Sequence, residues 1–228
     1  MRFDIVTIFP EQISAYLQQG ILFQAIKKEI LRVNVVNLRD FGLGNYRQVD
    51  DRVFGGGAGM LFMFEPLQKC LEKLKTDYAA AGITKFKVVA TSAKGKILNQ
   101  EICKDYAGNY EALIILCGRY EGFDQRIIDN LVDEELSLGK FVLTGGELAA
   151  LTVMDATARI TPGVLGKEES FTHDSFYENP DLAQFPQYTR PEIINYEGKE
   201  LRVPEVLLSG HHGEVAKWRE QNLQPVKS

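Results

Sequence analysis

The chain has 228 residues, 45% of them hydrophobic and 25% charged, with a formal net charge of −5. These proportions match ordinary globular proteins, so they exclude wholesale disorder and allow one large domain, or a medium and a small one. The charge argues against a protein that coats nucleic acid by phosphate neutralisation, because residues 1–166 carry 19 basic against 20 acidic side chains and residues 167–228 carry 7 against 11.

Phe3 to Phe9 is a β-branched and aromatic run that predicts a strand. Pro10 follows where the first helical position tolerates a missing N–H, with Ile13, Tyr16 and Leu17 at helical spacing. Leu31 to Leu38 predicts a second strand, and residues 40–60 a Gly-rich, charged loop. A helix is expected over Glu65 to Ala80, with Leu67, Leu71 and Leu74 on one stripe. Phe86–Thr91 and Ala112–Cys117 read as buried parallel strands with a helix from Ile97 to Tyr106 between them. Asp124–Leu131 reads as a helix, Phe141–Leu143 as a short strand and Glu147–Ile160 as a longer helix. Strands alternating with helices imply an α/β domain with a mostly parallel sheet.

The Glu147–Ile160 helix is apolar on two sides at its start: Ala149, Val153, Ala156 and Ile160 form one stripe, and Leu148 and Leu151 lie roughly opposite, continued by Asp155 and Arg159. Such a helix is covered twice, by its own sheet and by either a second subunit or another layer of the same one. From Thr161 to Pro191 the period breaks among prolines and glycines; two short helices, Val203–Ser209 and His212–Leu223, then suggest a small helical domain.

Cys70, Cys103 and Cys117 show no C-x-x-C spacing, which points away from disulfides and zinc and towards a reducing cytoplasm. No signal peptide or membrane span is expected, and no metal-ligand motif is present. Three Gly-bearing loops, Thr91–Gly95, Cys117–Gly122 and Leu143–Glu147, follow expected strand ends, where open α/β sheets bind ligands. Together they point to a nucleotide-like ligand. Gly55–Gly59 is not a dinucleotide fingerprint, and neither a P-loop nor a nucleophile elbow occurs.

An ordered set of motifs then resembles the TrmD family of tRNA methyltransferases, of the SPOUT superfamily. The set comprises Cys117-Gly-Arg-Tyr-Glu-Gly122, Ser137-Leu-Gly139 and Val142-Leu-Thr-Gly-Gly-Glu-Leu148. It is extended by Asp50-Asp51 with Gly55–Met60, Ala158-Arg159 with Pro162–Leu165, Asp174-Ser-Phe176, Tyr188–Pro191, and Leu207–His212 with Trp218-Arg219. The match runs nearly end to end. Two departures border the expected cofactor pocket, Ala90-Thr-Ser-Ala93 where the family commonly has Tyr-Leu-Ser-Pro, and Ala149 where it has Pro.

The resemblance implies a SPOUT domain over residues 1–165 with a mostly parallel sheet and a C-terminal trefoil knot, a flexible linker over 166–180, and a small helical tRNA-binding domain over 181–228. It implies a cytoplasmic homodimer with each active site at the subunit interface. The implied reaction moves a methyl group from S-adenosylmethionine to N1 of the guanine 3′ of the anticodon, with Mg2+ a candidate accessory ion. Asp174 becomes the general base and Arg159 the group that stabilises the purine. Ser92, Gly118, Tyr120, Glu121, Leu138, Gly139, Lys140, Phe141, Val142, Leu143, Gly145, Gly146 and Ala149 become the cofactor-binding set. Arg47, Arg52, Glu121, Arg190, Lys217 and Arg219 become contacts to the tRNA and its anticodon arm.

Overall fold

The computed structural model describes residues 1–166, 171 and 174–225. The chain divides into two units, Met1–Glu168 and Glu169–Ser228.

The first unit is built on five parallel strands: β1 Arg2–Thr7, β2 Arg32–Asn37, β5 Phe86–Ile97, β6 Ala112–Leu116 and β7 Glu134–Ser137, in the order β2-β1-β6-β5-β7. Every residue of β6 is buried, which suits a central strand covered on both faces. One face packs with α1 Pro10–Tyr16, α2 Gly20–Lys27, α4 Gln100–Asn109 and α6 Glu147–Arg159, through Ile5, Ile13, Leu113, Ile115, Ala150 and Met154. The other packs with α3 Phe64–Ala80 and α5 Gln125–Leu131, through Val6, Leu67, Leu71, Ile114, Leu116 and Ile127.

Local signals explain several boundaries. Pro10 opens α1, and the side chains of Asn99 and Asp124 cap α4 and α5 by accepting the backbone N–H of Ile102 and Arg126. The cap at Asn99 starts α4 at Gln100, so Ile97 is the last residue of β5 and not the first of the expected helix. Phe141–Leu143 is not a strand: all three side chains are exposed, and the edge strand is instead β7, whose acidic start hid it. The expected loop over residues 40–60 is entered through a 3-10 turn, Leu38–Phe41, and is closed by an antiparallel pair, β3 Asp50–Arg52 and β4 Met60–Phe62.

α6 is covered within its own unit over a wide arc that includes Ala149, Ala150, Leu151, Val153, Met154 and Ala158. Leu151 belongs to this internal core. A narrow line remains outside, with Leu148 63% exposed, Thr152 and Arg159 exposed and Asp155 half-buried.

The second unit mixes strand and helix. A hairpin pairs β9 Ile193–Tyr196 with β10 Lys199–Arg202, β8 Leu182–Ala183 pairs with β11 Gln224–Pro225, and α7 Glu205–Leu208 and α8 His212–Gln221 lie between. The hairpin turn uses Glu197 and Gly198 at positive φ, the two-residue turn whose twist suits paired strands. Of the segment 166–180, residues 167–170, 172 and 173 lie outside the described residues.

Candidate active site

Three adjacent parallel strands, β6, β5 and β7, release their loops at one edge of the sheet. The first loop is a bulge inside β5. The strand pairs with β7 up to Thr91, leaves the ladder, and rejoins at Lys96. The second runs from Gly118 to Phe123 after β6, and the third from Leu138 to Gly146 between β7 and α6. These loops enclose a cavity of about 460 Å³, within the range of small-ligand sites.

The cavity gathers most of the expected cofactor residues. Ser92 comes from the β5 bulge; Gly118, Tyr120 and Glu121 from the second loop; Leu138, Phe141, Val142, Leu143, Gly145 and Gly146 from the third; and Ala149 from the first turn of α6. Gly139 and Lys140 are outside the lining. Gly139 instead donates its N–H to Ser137 Oγ at 3.2 Å, and Lys140 is exposed.

Glycine is required where the loops touch. A Cβ on Gly146 would lie 2.0 Å from Thr91 Oγ1 and 2.6 Å from the Gly118 nitrogen. Close approach permits a bond from the Gly146 N–H to the Gly118 carbonyl at 2.7 Å, while Thr91 Oγ1 accepts the Gly118 N–H at 2.9 Å. The same hydroxyl donates to the Leu116 carbonyl at 3.1 Å, so one side chain ties β5 to the loop after β6.

Sequence reasoning passed over the charged pair beneath these loops. Glu147, 2% exposed, accepts from Thr7 Oγ1 at 2.8 Å and from Arg119 Nε at 2.9 Å. Arg119 also donates to the Thr144 carbonyl at 3.0 Å and to Gln12 Oε1 at 3.3 Å, and its guanidinium lies 4.5 Å from the centre of the Phe9 ring. The network therefore joins β1, α1, the second loop and the third. Arg119 and Glu147 sit inside the motifs quoted above, but only folding shows that they meet.

Tyr120, at positive φ, packs edge-on against Phe62 with ring centres 5.5 Å apart. Burial first, and then the charge of Asp50, raise its phenol above the ordinary value. Glu121 and Glu135 are the carboxylates on the cavity wall, and among the described residues no three His, Cys, Asp or Glu side chains come together as a metal centre.

The remaining expected residues lie elsewhere. Arg159, at the end of α6, lines a second cavity with Tyr16, Gln19 and Asp155, where Tyr16 donates to Asp155. Arg47 pairs with Asp40 at 3.0 Å, and Arg52 is exposed at the end of β3. In the second unit, Asp174 is half-buried, its N–H bonded to the Phe171 carbonyl at 3.1 Å. Arg190, Lys217 and Arg219 are exposed, and Arg219 lies 5.1 Å over the Phe185 ring, which also meets Trp218.

Fold and cavity define an α/β protein with a cavity of small-ligand size at the carboxyl ends of adjacent parallel strands, the place where open α/β sheets bind ligands. A family model described as tRNA (Guanine-1)-methyltransferase TrmD matches residues 1–226. The tRNA (guanine-N(1)-)-methyltransferase of Mycoplasma capricolum is 45% identical over 228 residues, covering 100% of this chain and 88% of that protein. Its counterpart from Buchnera aphidicola is 46% identical over 217 residues, covering 95% and 87%. The crystal structure of tRNA (m1G37) methyltransferase from Aquifex aeolicus is similar with a TM-score of 0.74 and 39% identity, covering 96% of this chain and 87% of that one. The chain belongs to the TrmD family of tRNA (guanine-1)-methyltransferases and is a methyltransferase.

Proposed function

We propose that this methyltransferase acts on N1 of the guanine immediately 3′ of the anticodon, position 37 of tRNA, with S-adenosylmethionine as donor. The observation that carries the proposal is the cavity built from the loops after β5, β6 and β7. Leu136, Leu138, Ile128 and Ala149 give it an apolar lining suited to adenine, and the backbone of Gly118, Leu143 and Gly145 gives polar groups suited to ribose and the amino-acid end. When bound, the donor supplies a methyl group on a positively charged sulfur.

Guanine N1 carries a proton and is a poor nucleophile until it is lost. Asp174 takes that proton. Arg159 holds the negative charge that grows on the purine, chiefly at O6. Glu121 borders the guanine, and Arg47, Arg52, Arg190, Lys217 and Arg219 meet the phosphates of the anticodon arm.

The enzyme works as a homodimer with shared sites. α6 begins at the donor cavity and reaches Arg159 twelve residues later, about 18 Å along its axis, so the Arg159 that serves a cavity comes from the partner. The exposed line Leu148, Thr152 and Arg159, with exposed Tyr16 and Ile21 nearby in the fold, supports burial against a second copy. Membership of the family carries the trefoil knot and work in the cytoplasm into this reading, and among the described residues no helix is long and apolar enough to cross a membrane.

The test is methyl transfer from labelled donor to an unmodified tRNA with guanine after the anticodon. Incorporation should vanish when that guanine is replaced, and undiminished incorporation would sink the assignment.

A further inference from the structure

Among the described residues Phe54 is the most exposed large hydrophobic side chain, at 98%. It has no polar atom to hold water. It stands at the tip of the β3–β4 hairpin, followed by Gly55, Gly56, Gly57 and Gly59, all at positive φ between 83° and 118°. A Cβ at Gly55, Gly56 or Gly57 would meet nothing within 4 Å, so the ring sits beside open, bare backbone. A planar group can lie flat there without displacing a side chain.

The base of this hairpin belongs to the wall of the donor cavity. The Phe62 N–H bonds to the Gly122 carbonyl at 3.0 Å, the Glu121 N–H to the Met60 carbonyl at 3.0 Å, and the Asp124 N–H to the Phe62 carbonyl at 3.1 Å. Gly59 is held against the Glu121 side chain so closely that a Cβ would fall 2.4 Å from Cγ. Phe62 also packs on Tyr120 and Phe123, both at 5.5 Å between ring centres. Phe54 thus stands in the turn of a hairpin whose second strand is fixed to the cavity wall.

We propose that Phe54 is a stacking platform for an unpaired RNA base beside the target guanine. This rests on the reading of the chain as a tRNA methyltransferase and deepens it. The occupant is chosen by chemistry. Arg47 and Arg52, which meet phosphates in the proposed complex, belong to the same segment, and the uncharged Phe54 ring beyond them is left for a base and not for a phosphate. A flat apolar ring next to bare backbone, continuous with a cavity wall that must meet a nucleobase, fits the face of a base pulled from its stack.

The test uses the full chain with S-adenosylhomocysteine bound and an anticodon stem-loop RNA carrying fluorescent 2-aminopurine next to the target guanine. Phe54→Ala and Phe54→Leu should each weaken RNA binding by about 5- to 100-fold and lose the stacking quench, as for removal of a base–aromatic contact. Phe54→Tyr should restore both, since it keeps the ring. Affinity for S-adenosylhomocysteine, read by calorimetry, should be the same in all four proteins. Wild-type binding by Phe54→Ala overturns the proposal, as does a Leu variant that performs as well as Tyr. A parallel loss of S-adenosylhomocysteine affinity overturns it too, because the tip would then act through the cavity. A wild-type protein that binds and quenches the RNA but transfers no methyl group once S-adenosylmethionine replaces S-adenosylhomocysteine would sink the assigned reaction and leave the stacking result standing. Failure to bind the stem-loop would overturn both.

Discussion

Arg119 places its guanidinium Nε 2.9 Å from Oε2 of Glu147, a carboxylate almost wholly out of contact with water. The pair spans two of the cavity loops, and Thr7 satisfies the other carboxylate oxygen. Removing one member strands the other in a poorly solvated site. Arg119→Ala should therefore destabilise the protein by about 3 kcal/mol, read from urea unfolding, while adding Glu147→Gln should recover part of that loss. Equal midpoints for wild type and Arg119→Ala would mean that Glu147 finds another partner.

Asp174 lies outside the unit that forms the donor cavity. Asp174→Asn is expected to slow single-turnover methyl transfer by ~10²–10⁴-fold, the usual worth of a positioned base, with donor affinity unchanged. A drop in donor affinity that accounts for the lost rate would contradict a role in proton removal.

Acid should weaken the fold through Glu134. Burial disfavours its charge, but bonds from Tyr106, Lys87 and Lys96 outweigh that and leave its carboxyl below the ordinary value of 4.5. A lowered folded-state value means that the stabilisation is complete above pH 4.5 and is lost as pH falls through the lowered value. Glu134→Gln should flatten the dependence of the urea midpoint on pH below 4.5 while costing stability at neutral pH.

All three cysteines are buried, and burial pushes the thiols of Cys70 and Cys103 up to about 12 and about 11, and that of Cys117 well above the ordinary range. With so little thiolate, the native protein should react slowly with a disulfide reagent at pH 8 and quickly once unfolded. Rapid labelling of the native protein would show that the core opens readily.

The central strands and glycine loops were legible because buried parallel strands are short apolar runs and because glycine marks their ends. β7 was not, since Glu134 and Glu135 begin a strand whose acidic side chains find Lys87, Lys96 and Lys94 only after folding. Phe141–Leu143 misled for the opposite reason. It is apolar yet exposed, and Phe141, Val142 and Leu143 face a cavity rather than a core. The β9–β10 hairpin carried a readable signal in Glu197-Gly198 between two β-prone runs, but its exposed strands gave no clear alternation of burial. Thr7, Arg119 and Glu147 could not be joined from sequence. Their meeting depends on long-range topology, and no local pattern encodes it.

The length of α6 has a genetic consequence. With the donor cavity at its start and Arg159 at its end, a lesion at Gly146 and a lesion at Arg159 disable different halves of each shared site in the proposed dimer. Co-expressed in one cell, two such alleles should complement. Each mixed dimer combines both lesions in one site and leaves the other intact, so random pairing should return roughly a quarter of normal activity from two individually silent genes.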